Sequence, residues 1–148
     1  MTVKAILSDK GTAVITVAPT VSLRNAIMLL DEHKIGSVVI TNSDQQVIGI
    51  LTERDVFRTL ARKVRNEGAC QICDEPVEEA MTRKVDTCTP ADTVHQIMQR
   101  MTESRFRHLP VVENGKLAGI ISIGDVVKHR LRQMEFESEA LHQYVLVA

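Results

Sequence analysis

Apolar positions along the chain follow two alternating rhythms, and the same succession occurs twice. Thr16-Val17, stopped by Pro19, reads as a short strand, since proline brings no N–H to a ladder. Leu23, Ala26, Ile27 and Leu30 then recur at helical spacing on one face, with Ser22 placed as an N-cap. The apolar run Ser37–Ile40, the turn residues Asn42-Ser-Asp44 and a second run Val47–Leu51 predict a hairpin, and a helix begins at Thr52. Further on, the second copy offers Thr87 and Pro90, then Val94, Ile97, Met98 and Met101 on a helix face, with Thr93 and Gln96 spaced as a capping box. Leu109–Val112 and Leu117–Ile121 flank Asn114-Gly115, a strong hairpin signal, and a last helix begins at Ser122.

The correspondence is residue by residue. Ile48-Gly-Ile-Leu-Thr-Glu-Arg-Asp-Val56 returns as Ala118-Gly-Ile-Ile-Ser-Ile-Gly-Asp-Val126, and Val3–Leu7 returns loosely as Val77–Met81. Two repeats of about 70 residues therefore cover most of the chain. The linking stretch, Arg58 to Glu79, starts as the end of a helix (Leu60, Ala61, Val64) and continues as a loop from Gly68 to Pro76. A boundary near Cys73 divides the chain into 1–73, with the N-terminal segment and linker, and 74–148, with the C-terminal helix. Strand, helix, hairpin, helix in each copy predicts an α/β (α+β) fold with a small, mainly three-stranded sheet per repeat and helices packed on it.

Composition narrows the classes of function. The net charge of −1 offers no cationic excess for a general nucleic-acid or anionic-membrane surface. Three Phe, one Tyr and no Trp leave little for base-stacking platforms. The densest apolar stretches fall far short of a bilayer span, and the first ten residues have no signal-peptide pattern. With three cysteines, an odd number, the expected setting is a reducing cytoplasm. No nucleophile motif, Walker loop, G-x-G-x-x-G or H-E-x-x-H is present, so an enzyme has no support. Cys70-x-x-Cys73 resembles half a zinc knuckle or a redox pair, but a zinc site needs about four ligands and the five histidines are scattered. No metal site is expected.

Three stretches carry a family resemblance: Val47-Ile-Gly-Ile-Leu-Thr-Glu-Arg-Asp55, Arg107-His-Leu-Pro-Val-Val112 and Gly119-Ile-Ile-Ser-Ile-Gly-Asp125. The pattern resembles the CBS domain, and two in tandem resemble a stand-alone Bateman module. The resemblance implies copies related by a pseudo-twofold axis. It also implies clefts that bind an adenosine ligand (AMP, ATP, NAD(H) or S-adenosylmethionine), with regulation or energy sensing as the role.

On the residues themselves, Thr52-x-x-Asp55 and Ser122-x-x-Asp125 are capping-box arrangements that stabilise a helix start by about 1 kcal/mol. The family also uses such carboxylates on ribose. A vicinal diol has two donors and a carboxylate two acceptor oxygens, so ribose contacts are expected at Asp55, Asp125, Thr52 and Ser122. Basic residues at these positions often hold ligand phosphates in the family, so the resemblance implies phosphate contacts at Arg105, Arg107 and His108, with Arg54 adding one. The aligned residues of the other copy are Lys34, Gly36 and Ser37, and Gly124 for Arg54. The copies are not equivalent. With so few rings, the adenine walls are expected to be aliphatic: Val17, Ile35, Val38 and Ile50 in one copy, Leu109 and Ile120 in the other. Gly36-Ser37 permits close backbone approach, and Thr16 and Thr87 hold strand positions that line the cleft in relatives.

In the last helix, Val127, Leu131, Met134, Leu141 and Val145 form a short heptad seam with Ser138 in the gap. Basic Lys128–Arg132 precede acidic Glu135–Glu139, so an antiparallel partner meets opposite charge, and a homodimer is expected. The rival readings are a dimerisation scaffold with empty clefts and a metal or thiol-redox protein.

Overall fold

The computed structural model describes residues 1–67 and 74–147. In chain order the elements are α1 (Val3–Lys10), β1 (Thr16–Val17), α2 (Leu23–His33), β2 (Ser37–Thr41), β3 (Val47–Thr52), α3 (Glu53–Glu67), a 3-10 turn (Val77–Glu79), α4 (Val94–Ser104), β4 (His108–Glu113), β5 (Lys116–Ser122) and α5 (Ile123–Val147). The architecture is mixed α/β, with two small sheets that carry helices. Local chemistry sets the boundaries. The Ser22 hydroxyl accepts from the Asn25 N–H to start α2, and Thr93 with Gln96 completes a full capping box on α4. Both helices end at a left-handed residue, Lys34 and Arg105, which turns the chain into the next strand. Asn114 and Gly115 both have positive φ, as a two-residue hairpin turn between right-twisted strands requires.

The sheets differ. The first has three strands, β1 parallel to β2 and β2 antiparallel to β3. The second has two, β4 and β5, so the expectation of three strands fails for this copy. Pro110 explains the difference. In the first sheet the Val39 N–H donates to the Ile15 carbonyl at 3.2 Å, and Val39 corresponds to Pro110 in the repeat. Proline has no N–H to give, so the ladder cannot extend there. What remains is one parallel bridge between Cys88 and Val111, held by Cys88 N–H to Pro110 O and Val112 N–H to Cys88 O.

Packing exchanges the segments that precede each repeat. Val3, Ile6 and Leu7 of α1 lie in one core with Cys88, Val94, Ile97, Met101, Leu109, Val111, Ile121 and Val126, all from the second copy. Val77 and Met81 lie in the other core with Val17, Leu23, Ala26, Leu30, Val38, Ile40 and Leu51, from the first. Division at 1–73 and 74–148 follows the chain, whereas the cores trade these two segments across it; Cys73 itself lies outside the described residues. Backbone bonds reinforce the exchange: Val3 N–H donates to Asp92 O and Val77 N–H to Val21 O. Glycine makes room at both contacts. A Cβ on Gly119 would meet Leu7 Cδ2 at 2.7 Å, and one on Gly49 would collide with the Met81 sulfur.

The exchange predicts where an N-terminal mutation is felt. Ile6 is 1% exposed, and Ile6→Ala is expected to cost about 2–5 kcal/mol. Amide hydrogen exchange should show protection lost in β4 and β5 before β2 and β3, which checks that α1 supports the second copy.

Candidate functional site

A cavity of about 550 Å³ opens between the two copies. The first copy contributes Gly36, just before β2, and Ile50, Thr52, Glu53, Arg54, Asp55 and Arg58 from β3 and α3; the stretch just before Thr87 contributes Thr82, Lys84, Val85 and Asp86; the chain from the end of α4 to the start of β4 contributes Ser104, Arg105, Phe106, Arg107 and His108. Of the residues singled out from sequence, Thr52, Asp55, Arg54, Gly36, Ile50, Arg105, Arg107 and His108 come together here. Five of the lining side chains are Arg or Lys and three are carboxylates, so the surface favours an anion.

Asp55 sits at the first turn of α3, where β3 runs directly into the helix. Its Oδ2 accepts from the Thr52 N–H at 3.0 Å and the Thr52 hydroxyl at 3.1 Å, while the Asp55 N–H donates back to Thr52 Oγ1 at 3.3 Å. The capping role is therefore real. Its other oxygen, Oδ1, accepts from the Thr82 hydroxyl at 3.0 Å. A carboxylate has about four acceptor positions, so Asp55 keeps capacity for a further donor. The residue is buried, 7% exposed, which strengthens any hydrogen bond it accepts.

Across the cavity, α4 ends at left-handed Arg105, which points the following residues at the cleft before β4 begins. The Arg54 guanidinium reaches over to the Arg105 carbonyl at 3.5 Å. His108 packs against Gly36, where a Cβ would lie 2.9 Å from its Nε2, so the opening left by glycine is taken by the imidazole. Burial holds the His108 pKa below its usual value; Glu53 and Asp125 pull it up, while Lys10 and Arg107 push it down. Net, the ring favours its neutral form.

Asp125 has a different partner from Asp55. Ser122 repeats the cap, with its N–H at 2.9 Å and hydroxyl at 3.0 Å from Asp125 Oδ2, but the Lys10 ammonium also binds that oxygen at 2.7 Å. Lys10 donates in addition to the Ile120 carbonyl at 2.9 Å. Against the cost of burial, the bonds from Lys10 and Ser122 hold the Asp125 pKa below the ordinary carboxylate value.

Apart from Ile50 and Gly36, the residues expected to wall the adenine lie outside the cavity. Val17, Val38 and Leu109 are core residues, and Ile35 packs against the first core. Ser37 is buried at the start of β2, Thr16 is exposed on β1, and the Thr87 carbonyl accepts from Arg100 at 2.8 Å. None of these lines the cavity, and its apolar surface comes from Ile50, Val85 and Phe106. The cavity lining thus includes an aromatic ring, Phe106, which also packs on the second core, where aliphatic walls were expected. Sequence reasoning missed Arg58, one helical turn beyond Arg54, which spacing alone signals. It missed Thr82 and Lys84 too; their counterparts under the preface repeat are Ser8 and Lys10, so the repeat held that signal.

No group of three or more His, Cys, Asp or Glu side chains among the described residues is arranged to hold a metal ion, and Cys70 and Cys73 lie outside those residues. Burial, with Asp92 adding to it and Arg100 opposing, raises the Cys88 pKa to about 12, which leaves the thiol protonated and unreactive. No helix among the described residues is long and apolar enough to cross a membrane.

Comparison with known proteins places this geometry. The family described as "CBS domain" matches residues 3–62 and 77–132. A CBS-domain-containing protein from Agrobacterium tumefaciens is 50% identical, with a TM-score of 0.79 over 87% of this chain and 92% of that one. The CBS domain pair of protein MJ0100, solved in complex with 5′-methylthioadenosine and S-adenosyl-L-methionine, is 25% identical, with a TM-score of 0.77 over 90% of this chain and 98% of that one. The mitochondrial CBS domain-containing protein CBSX3 of Arabidopsis thaliana is 32% identical over 82% of this chain, which spans 58% of that relative's length. Both matched stretches contain one copy of the internal repeat, and the chain belongs to the CBS domain family, carrying two CBS domains in tandem.

Proposed function

We propose that the protein is a non-catalytic regulatory module that binds a phosphorylated adenosine ligand (AMP, ATP or NAD(H)) in the cavity between its two CBS domains. One observation carries this reading: the Asp55 carboxylate and the cations of Arg105 and Arg107 line a single cavity, one at each side. Its volume, about 550 Å³, lies in the range of small-molecule sites. Asp55 and Thr52 suit a ribose diol; Ile50, Val85 and Phe106 suit the base; Arg54, Arg105, Arg107 and His108 suit phosphate. The adenosine ligands of the MJ0100 domain pair support the ligand class. The ligand regulates by binding one arrangement of the two domains more tightly than another.

Titration calorimetry with AMP and adenosine tests the division of roles. Arg107→Ala is expected to weaken AMP by about 10- to 100-fold, the worth of one charge-assisted bond of roughly 1.5–3 kcal/mol, and to leave adenosine within threefold. Asp55→Asn is expected to weaken both. Flat heats for AMP, ATP, NADH and S-adenosylmethionine would instead favour a scaffold with empty clefts.

His108 gives a pH signature. A phosphate dianion beside the imidazole raises its lowered pKa, so binding takes up a proton. AMP affinity therefore increases from pH 8 to 6.5, by at most about tenfold per unit. Adenosine affinity stays level, and His108→Gln flattens the AMP profile.

The module pairs with a second copy through α5. Residues from Met134 to Val147 are all exposed, and Val127, Leu131, Leu141 and Val145 present their apolar seam outward. Phe57 and Val64 on α3 are exposed as well, and they match Val127 and Met134 in the repeat. A helix with so little tertiary contact is marginal in water, so a partner stabilises it. With Leu131 packed on Met134 of the second copy, antiparallel, Lys128 faces Glu135 and Arg130 faces Glu137. Light scattering is expected to give a dimer for the native chain and a monomer for Leu131→Asp. Charge reversal at Glu135 and Glu137 to Lys should loosen the dimer, and added reversal of Lys128 and Arg130 to Glu should restore it.

A further inference from the structure

The two aspartates that open α3 and α5 are equivalent in the repeat, and each is held by a residue of the segment preceding a repeat. The holders differ in chemistry. Asp55 meets a neutral hydroxyl, Thr82 Oγ1, at 3.0 Å, beside an open cavity. Asp125 meets the Lys10 ammonium at 2.7 Å, and the same nitrogen takes the Ile120 carbonyl at 2.9 Å. Ile120 is the counterpart of Ile50, which lines the Asp55 cavity. Lys10 thus spans both the carboxylate and the strand edge at the place equivalent to the Asp55 cavity. Its counterpart, Lys84, lines the first cavity.

We infer that Lys10 is a resident cation that closes the Asp125 hollow, so that each chain takes one adenosine ligand, at Asp55. This rests on the ligand reading above and adds its stoichiometry. A ligand diol arriving at Asp125 has to compete with an ion pair already formed inside the chain, which needs no binding partner to be brought from solution. α1 keeps that ammonium in place, since Val3, Ile6 and Leu7 anchor the helix in the second core and Asp9 binds His129 and Arg132 of α5. The counterparts of the phosphate-facing residues supply fewer cations to overcome it. Where the Asp55 cavity has Arg54, Arg105, Arg107 and His108, the matching positions are Gly124, Lys34, Gly36 and Ser37, so Lys34 alone keeps a positive charge. At Asp55 a donor has only a hydroxyl to share or displace.

Calorimetric stoichiometry with AMP tests this on the full chain. The native protein is expected to bind one AMP per chain, and Asp55→Asn to bind none at the same concentrations. Lys10→Met should bind two, and Lys10→Met with Asp125→Asn should return to one. The fold of the Lys10 variant is checked by its thermal transition; the Asp55→Asn measurement needs no change at Lys10. Two AMP per native chain, one AMP retained in Asp55→Asn, or one AMP per chain in folded Lys10→Met overturns the closure while leaving the ligand reading intact. Flat heats for the native chain and every variant overturn both.

Discussion

Neither core is completed by its own repeat. The segment 1–10 packs under the second sheet and the segment 75–82 under the first, each seated on a glycine, Gly119 or Gly49, that leaves room for Leu7 or Met81. Burying two such apolar segments ties the copies together more firmly than any polar contact between them, because apolar burial supplies most of the free energy of folding. A copy deprived of its segment would expose Leu109, Val111 and Ile121, or Val38, Ile40 and Leu51, to water. The constraint also fixes the clefts. Each seated preface carries a partner for one aspartate, Lys10 for Asp125 and Thr82 for Asp55.

Asymmetry then enters through single residues on a common frame. Pro110 stands where Val39 stands in the other copy, and a missing N–H reduces a strand to a bridge. Thr82 and Lys10 do parallel work at two aspartates, one as a neutral donor and the other as a full charge. Arg107 and His108 occupy the positions of Gly36 and Ser37, so a guanidinium and an imidazole stand where the other copy has neither. A duplicated frame with unequal side chains thus gives two equivalent aspartates different electrostatic surroundings.

Much of the fold was legible because it is local. The helix faces, the Ser22 and Thr93 caps, the Asn114-Gly115 turn and the order of elements follow from spacing and from the conformations that particular residues accept. The site was legible in part. Asp55 and Arg105–His108 stood out through the repeat and the family resemblance, and the cavity contains them. The apolar lining of the cavity was legible only at Ile50: Val17, Val38 and Leu109 have the same apolar character whether they face a cavity or a core, and periodicity does not distinguish the two.

The linear chain by itself determined the duplication, most of the secondary structure and the inequality of the copies, all properties of neighbouring residues or of comparison between two stretches. Only the tertiary structure decided which copy each preface supports, that Phe106 and Val85 wall the cavity, and that Lys10 reaches an aspartate 115 residues away. The reason is physical. A long-range contact depends on how two surfaces are brought together by burial elsewhere, and neither residue of the pair carries that information in its own neighbourhood.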